Sequence, residues 1–204
     1  MVQIILDFET SGLNPYHDDI IEIGAKVVGS DNYFQCLVRP KSNQMISDKI
    51  TEITGITNRL LRAEGIQWLQ AYNDFYNWLI ETLDKEDTNA IVCHNGTTFD
   101  FIFLKRALND MKQSGSIPNI DLIDEYKIEM IDTLLLSRRL IPGRYQYSQP
   151  SLCKTFNIEV EGAHRAMNDV ICLEQLYNQL LESFQKENQD NSIQLLQDYI
   201  KLRI

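Results

Sequence analysis

The chain has 204 residues, 44% of them hydrophobic and 24% charged, which supports a sizeable core and excludes disorder as the main state. Its 19 Lys+Arg against 29 Asp+Glu give a formal net charge of -10. That balance excludes a broad basic surface for gripping long nucleic acid, but not a small site that handles one end of a strand.

Val2 to Phe8 is a near-continuous apolar run with branched residues, as in a strand covered on both faces. Ser11 to Pro15 is turn chemistry. Ile20 to Val28 and Tyr33 to Val38 read as the next strands, joined by Gly29-Ser30-Asp31-Asn32, and the short spacing favours an antiparallel meander. Ser47 to Ile53 is predicted as a short helix with Ser47 as N-cap, and Ile66 to Leu83 as a longer amphipathic one. The aromatics of that segment recur at helical spacing, which is core packing rather than a cofactor box. Ala90 to Cys93 reads as a buried strand, followed by a helix from Thr98 to Met111 and a loop over residues 112–127. Ile128 to Ile131 is a strand leading into a helix over Thr133 to Leu140. After Pro142-Gly143, short and long helices are predicted over Ser151 to Phe156 and Ala166 to Phe184. A polar stretch then precedes an amphipathic helix from Ser192 to Leu202.

Strands first, then strand–helix alternation, is an α/β pattern with a mixed sheet. Residues 1–185 form one domain, with 186–204 as an appended helix. No apolar stretch approaches the roughly 18 residues of a membrane span. The N-terminal segment has no basic region and reaches an acid at Asp7, so it does not read as a signal peptide. Cys36, Cys93, Cys153 and Cys172 are scattered without a CxxC pair. That speaks against zinc and disulfides and for an intracellular, reducing compartment, cytoplasm or nucleus. Cys93 and Cys153 read as small buried apolar residues.

Three clusters carry chemistry. Asp7-Phe8-Glu9-Thr10 ends the first strand, where residues two apart share a face. His94-Asn95-Gly96-Thr97-Thr98-Phe99-Asp100 is a strand end, a turn and a helix start. His164-Arg165-Ala166-Met167-Asn168-Asp169 enters the long helix. Singly, each has a bland account. Thr97 with Asp100 fits a capping box variant, Asp169 suits a first helical turn, and His94 sits at a strand end as hydrogen-bonded structure. In combination they do not: the His-x-Ala-x-x-Asp pattern alone arises by chance about 0.03 times in a chain of this length. Acids clustered at a buried strand end ask for a cation, and an oxygen-only set suits Mg²⁺ or Mn²⁺.

In these three motifs, and in Ile20-Ile21-Glu22-Ile23-Gly24-Ala25, the sequence resembles the DEDDh branch of the DnaQ-like 3′–5′ exonucleases, over roughly residues 2–182. Ser11 departs from the Thr of many members but keeps a hydroxyl. The resemblance implies a ribonuclease-H-like fold, with a mixed five-stranded sheet that begins with three antiparallel strands and is flanked by helices. It implies Asp7, Glu9, Asp100 and Asp169 as catalytic acids, with two divalent cations, Mg²⁺ or Mn²⁺, held by Asp7, Glu9 and Asp169. His164 is the implied general base, and the product is a 5′-mononucleotide. Thr10, Leu13, Asn95 and Phe99 are the implied contacts to the terminal nucleotide.

Between Thr133 and Ile158 stand Arg138, Arg139, Arg144 and Lys154 without an acid, together with Tyr145 and Tyr147. This reads as a local strip that tracks phosphates, with a solvated helix end as the competing account. The reading is a metal-dependent 3′–5′ exonuclease on single-stranded, frayed or mismatched 3′ ends, DNA favoured, of proofreading or repair type. RNA 3′-end trimming or degradation of short oligonucleotides is the alternative, and a non-catalytic nucleic-acid-binding module on the same fold is the third. The partners are a single-stranded nucleic-acid 3′ end and, as one option, a polymerase or other protein through the last helix, with no membrane; the competing account has the apolar positions of that helix, Ile193, Leu196 and Ile200 with Leu195, Tyr199 and Leu202, packed on the chain's own core.

Overall fold

The computed structural model describes residues 1–42, 44–159 and 165–188, with the side chains of residues 187 and 188 left out, and the isolated positions Leu195, Leu196 and Asp198. His164, and the predicted last helix apart from those three positions, lie outside the described residues.

Strands β1 (Gln3–Thr10), β2 (Ile20–Val27) and β3 (Tyr33–Arg39) form the expected antiparallel meander. Strands β5 (Asn89–Cys93) and β6 (Ile128–Asp132) add in parallel on the far side of β1. The sheet has six strands rather than five: with Ile66–Gln67 as β4, the order is β4-β3-β2-β1-β5-β6. The additional strand β4 is Ile66–Gln67, which pairs in parallel with Val38 and Arg39. The predicted helix over Ile66 to Leu83 therefore begins later, as α3 (Trp68–Thr82). The cause is Gly65, whose extended backbone at φ -66 and ψ 138 ends the preceding helix and lays the next two residues along β3.

Helix α1 (Asp48–Thr54) starts as predicted, with Ser47 accepting from Ile50 N. A second short helix, α2 (Asn58–Glu64), went unpredicted; it is capped by Thr57, which accepts from Leu60 N, and it buries only Leu61. The remaining helices are α4 (Asp100–Ser114), α5 (Leu122–Glu125), α6 (Thr133–Leu140), α7 (Gln149–Thr155) and α8 (Ala166–Asn188). Helix α5 occupies part of the segment predicted as loop, and α8 runs past the expected boundary at residue 185.

Strand alternation divides the core in two. Ile4, Leu6 and Phe8 of β1 pack with α3 and α4, whereas Ile5 packs with α6, α7 and α8. Asp7 and Glu9 share the parity of Ile5 and so belong to the α8 face. Leu195 and Leu196 join the α8-side core, and Leu196 is only 1% exposed. Cys93 and Cys153 are fully buried and all four cysteines are free. No helix of the described residues is long and apolar enough to cross a membrane.

Candidate active site

The site lies where the sheet opens. Strand β5 pairs with β1 only over Gln3, Ile4 and Ile5, and then the two part. Phe8 N has lost its strand partner there, and Asp100, the first residue of α4, supplies the acceptor: Phe8 N donates to Asp100 Oδ1 at 3.1 Å. The capping pair expected of Thr97 and Asp100 is not formed. Phe99 stands at the cap position with no side-chain acceptor, and Thr97 N donates instead to Asp132 Oδ2 at 2.9 Å.

Asp132, at the end of β6, fixes the turn that leads to Asp100. It also accepts from Asn95 N and from Leu134 N, each at 3.0 Å. His94 is tied at both ring nitrogens, to Thr133 Oγ1 and to Tyr147 O, each at 2.9 Å. Burial lowers its pKa, so the neutral ring is favoured and Nε2–H donates to the Tyr147 carbonyl. The bland account of His94 is thus the structural one.

Asp169 arrives on α8, one turn after Ala166. The helix start sits directly on β2 because Gly24 has no side chain: a Cβ there would lie 2.7 Å from the Ala166 carbonyl carbon. Gly24 is the cross-strand partner of Asp7, as Glu22 is of Glu9. Cross-strand partners share a face, so helix start and acids meet on the same side of the sheet.

Carboxylate oxygens of Asp7, Glu9 and Asp169 all lie within 4.8 Å of one another. Among the described residues, no side chain or backbone N–H donates to the carboxylates of Asp7 or Glu9. Burial, then the charges of Asp100, Glu9, Asp169 and Glu22, hold Asp7 well above the usual carboxylate range. Burial, with Asp169 as the next cause, pushes Glu9 up to about 8, although Arg165 pulls the other way. Burial also brings Asp100 up to about 7, against the bond from Phe8 N. Converging carboxylates that raise one another's pKa are stabilised by a positive charge between them. An all-oxygen, acidic donor set fits a hard divalent cation such as Mg²⁺ or Mn²⁺.

The other anticipated contacts are more scattered. Thr10 is buried, and its hydroxyl donates to Gly12 O at 2.6 Å. Leu13 is 83% exposed. Asn95 is exposed, with a left-handed φ of 65°, and accepts at Oδ1 from the Thr98 hydroxyl. Phe99 is half-buried, its ring 5.0 Å from that of Phe103. Arg138 is exposed and lies over the Tyr147 ring at 5.8 Å, while Arg139 is half-buried. Arg144 is engaged locally: Nη2 donates to Ser151 O and Oγ, and Nε to Gln146 O. Tyr145 is 98% exposed.

Sequence reasoning missed Glu22 as part of the site. This acid is 0% exposed, and it accepts from Arg165 Nε and Nη2, from Ala166 N and from Gln35 Nε2. A charged residue inside the apolar run from Ile20 to Ile23 was the available signal. Gln149, whose Nε2 donates to Asp169 O at 2.9 Å, left no such signal.

The family profile described as Exonuclease (RNase_T) matches residues 4–177. DNA polymerase III subunit epsilon of Rickettsia typhi is 31% identical over 182 residues, covering 86% of this chain and 72% of that protein. The PolC-type DNA polymerase III of Bacillus subtilis is 31% identical over 169 residues, covering 81% of this chain and 10% of that protein. The chain thus spans about a tenth of the length of the PolC-type relatives it matches. Among solved structures, E. coli exonuclease I in complex with a dT13 oligonucleotide superposes with a TM-score of 0.74 at 19% identity, over 91% of this chain and 42% of that one. The nuclease domain of 3′hExo, described as a DEDDh family member bound to rAMP, gives 0.68 at 18% identity, over 89% of this chain and 92% of that one. These likenesses show the ribonuclease-H-like exonuclease fold.

Proposed function

The chain belongs to the DnaQ-like exonuclease family that the profile marks over residues 4–177, and on that premise we propose that it is a metal-dependent 3′–5′ exonuclease acting on single-stranded or frayed 3′ ends, DNA in preference to RNA. The observation that carries this reading is the convergence of Asp7, Glu9 and Asp169 within 4.8 Å, with raised pKa values beside them. Such a group of like charges has no structural use of its own and is suited to a cation.

Two divalent cations, Mg²⁺ or Mn²⁺, would be held by Asp7, Glu9 and Asp169, and when bound they supply the positive charge that offsets the phosphate and acidify a water. The chain's own residues then orient and exclude. Asp100, held against the β1 backbone, is the fourth acid and would act mainly through water. Exposed Leu13 wedges against the terminal base, with Thr10, Asn95 and Phe99 around the terminal nucleotide. His164 takes the proton of the attacking water, and the 3′-oxygen of the penultimate nucleotide leaves. A one-ended substrate accords with a net charge of -10 and with a basic strip limited to Arg138, Arg139 and their neighbours. The epsilon subunit and PolC-type relatives are named as DNA polymerase III components, which favours DNA and a proofreading role inside the cell, with a polymerase as partner.

The test is degradation of 5′-labelled single-stranded DNA, single-stranded RNA and a 3′-mismatched duplex, with Mg²⁺ or Mn²⁺ and with chelator. A ladder shrinking by single nucleotides on DNA in the presence of metal is expected. Faster cutting of RNA would move the assignment to RNA trimming, and no cutting of any 3′ end would end the exonuclease reading.

A further inference from the structure

Four hydrogen bonds converge on one carboxylate beside the site. Arg165 Nη2 and Nε reach Glu22 Oε1 and Oε2 at 2.8 and 3.1 Å, a bidentate pair. Ala166 N reaches Oε2 at 3.1 Å, and Gln35 Nε2 reaches Oε1 at 3.1 Å. Glu22 therefore caps the first amide of α8 from a neighbouring strand. The same Arg165 joins the backbone of the site, because its carbonyl accepts from Asp169 N at 3.1 Å. The connection runs from Glu22 on β2, through the Arg165 side chain and carbonyl, to the amide of the metal-site residue Asp169. Beneath it, the Gly24–Ala166 contact fixes how closely the helix approaches. His164 immediately precedes Arg165 in sequence.

We infer that Glu22 and Arg165 are positioning residues for the cation site, a cross-strand clamp that sets the entry of α8 and with it Asp169. The inference rests on the exonuclease reading for its catalytic consequence. Only a carboxylate serves at position 22, since an amide has one acceptor oxygen for four donors and would turn its own N–H groups toward them. Only a guanidinium serves at 165, since an ammonium cannot span both carboxylate oxygens in plane.

The experiment compares wild type, Arg165→Gln, Arg165→Lys, Glu22→Gln and the Glu22→Gln/Arg165→Gln double variant. Three quantities are read: Mn²⁺ affinity by calorimetric titration, kcat and KM on a single-stranded oligonucleotide, and melting temperature with chelator. Arg165→Gln is expected to weaken Mn²⁺ binding about tenfold and lower kcat by roughly 10–100-fold, the usual cost of losing a group that orients a metal ligand. KM should stay within about twofold, because the clamp acts before chemistry rather than on substrate. Arg165→Lys should fall between, and the double variant should be no worse than the poorer single one, since the two residues act as one unit. A rise in KM with kcat and Mn²⁺ affinity unchanged would make Arg165 a phosphate contact and overturn the clamp. A lowered melting temperature with Mn²⁺ affinity and kcat intact would make it fold support alone. If Arg165→Gln does not fold, Arg165→Lys carries the same comparison, because it keeps the charge Glu22 needs and loses only the fork. A wild type inert on every 3′ end would sink the exonuclease reading, while the Mn²⁺ affinities would still decide the clamp.

Discussion

Glu9 and Glu22 face each other across the β1–β2 ladder, yet their surroundings are opposite. Glu22 is the more deeply buried, at 0% exposure, and its two oxygens are filled by four donors. Glu9 has no donor among the described residues; it has Asp7 and Asp169 for company, and burial and charge push it up to about 8. Asp132 belongs with Glu22: it is buried and satisfied by three backbone amides. Glu22 and Asp132 are buried and supplied with donors, whereas Asp7 and Glu9 are only partly buried and find none among the described residues. The supply of donors is what lets the deeper acids keep their charge.

The largest test of that contrast is Asp7→Asn. Turnover should fall by roughly 10³-fold or more, beyond the 10–100-fold that loss of an outer partner costs. The chelator-treated variant should nevertheless melt at or above wild type, because one of the mutually repelling charges is gone. Mn²⁺ should then raise the melting point far less than in wild type, where binding to the folded state alone is worth about 2.7 kcal/mol at 100 times Kd. Equal Mn²⁺ responses would place the ion elsewhere.

His164→Ala comes next, with a loss of about 10²–10³-fold in kcat and little change in Mn²⁺ affinity. Wild-type activity should decline toward acidic pH as imidazole protonates. If that acid limb persists in the variant, a different group is the base.

A smaller effect is the pH dependence of stability without metal. Glu9 and Asp100 have folded pKa values of about 8 and about 7, above their ordinary 4.5 and 3.8. Their contribution is fully present below the ordinary values and is lost as pH rises through 7 to 8, where the unfolded chain holds fewer protons. The chelator-treated protein should therefore gain melting temperature from pH 8.5 down to about 6.5. His94, whose pKa is lowered by burial, acts oppositely below that range, so the gain should become shallower there. Saturating Mn²⁺ should flatten the profile, and a profile equally steep with and without Mn²⁺ would uncouple these acids from the ion.

The smallest effect is expected at the basic strip. Arg138→Ala with Arg139→Ala should raise KM on long strands and flatten the salt slope by about two charges' worth, with little change on a dinucleotide. An unaltered salt slope would return the strip to a solvated helix end.

The chemistry was more legible in the sequence than the scaffolding around it. Asp7 and Glu9 are two apart on a strand, and Asp169 follows a His-x-Ala pattern, so three short motifs announce the acids and the chain order of strands announces the sheet. What stayed hidden depends on partners far away in sequence. Asp100 looks like a helix cap locally, but its bond is to Phe8, 92 residues away. Glu22 reads as one charged residue in a strand until Arg165 arrives from 143 residues away. The two-residue strand β4 and the single-buried-residue helix α2 are too short for periodicity to register.

The bare backbone at Gly24 gives the site a one-sided stop. Ala166 already rests where a methyl carbon at position 24 would be 2.7 Å from its carbonyl carbon, so the α8 entry can retreat from the sheet but cannot advance. Repulsion among the carboxylates pushes outward, the Glu22 tether resists, and an attracting cation draws inward only until backbone meets backbone. The closest approach of the α8 backbone to β2 is therefore set by contact between two main chains, and the carboxylates adjust to an ion by turning their side chains above that floor.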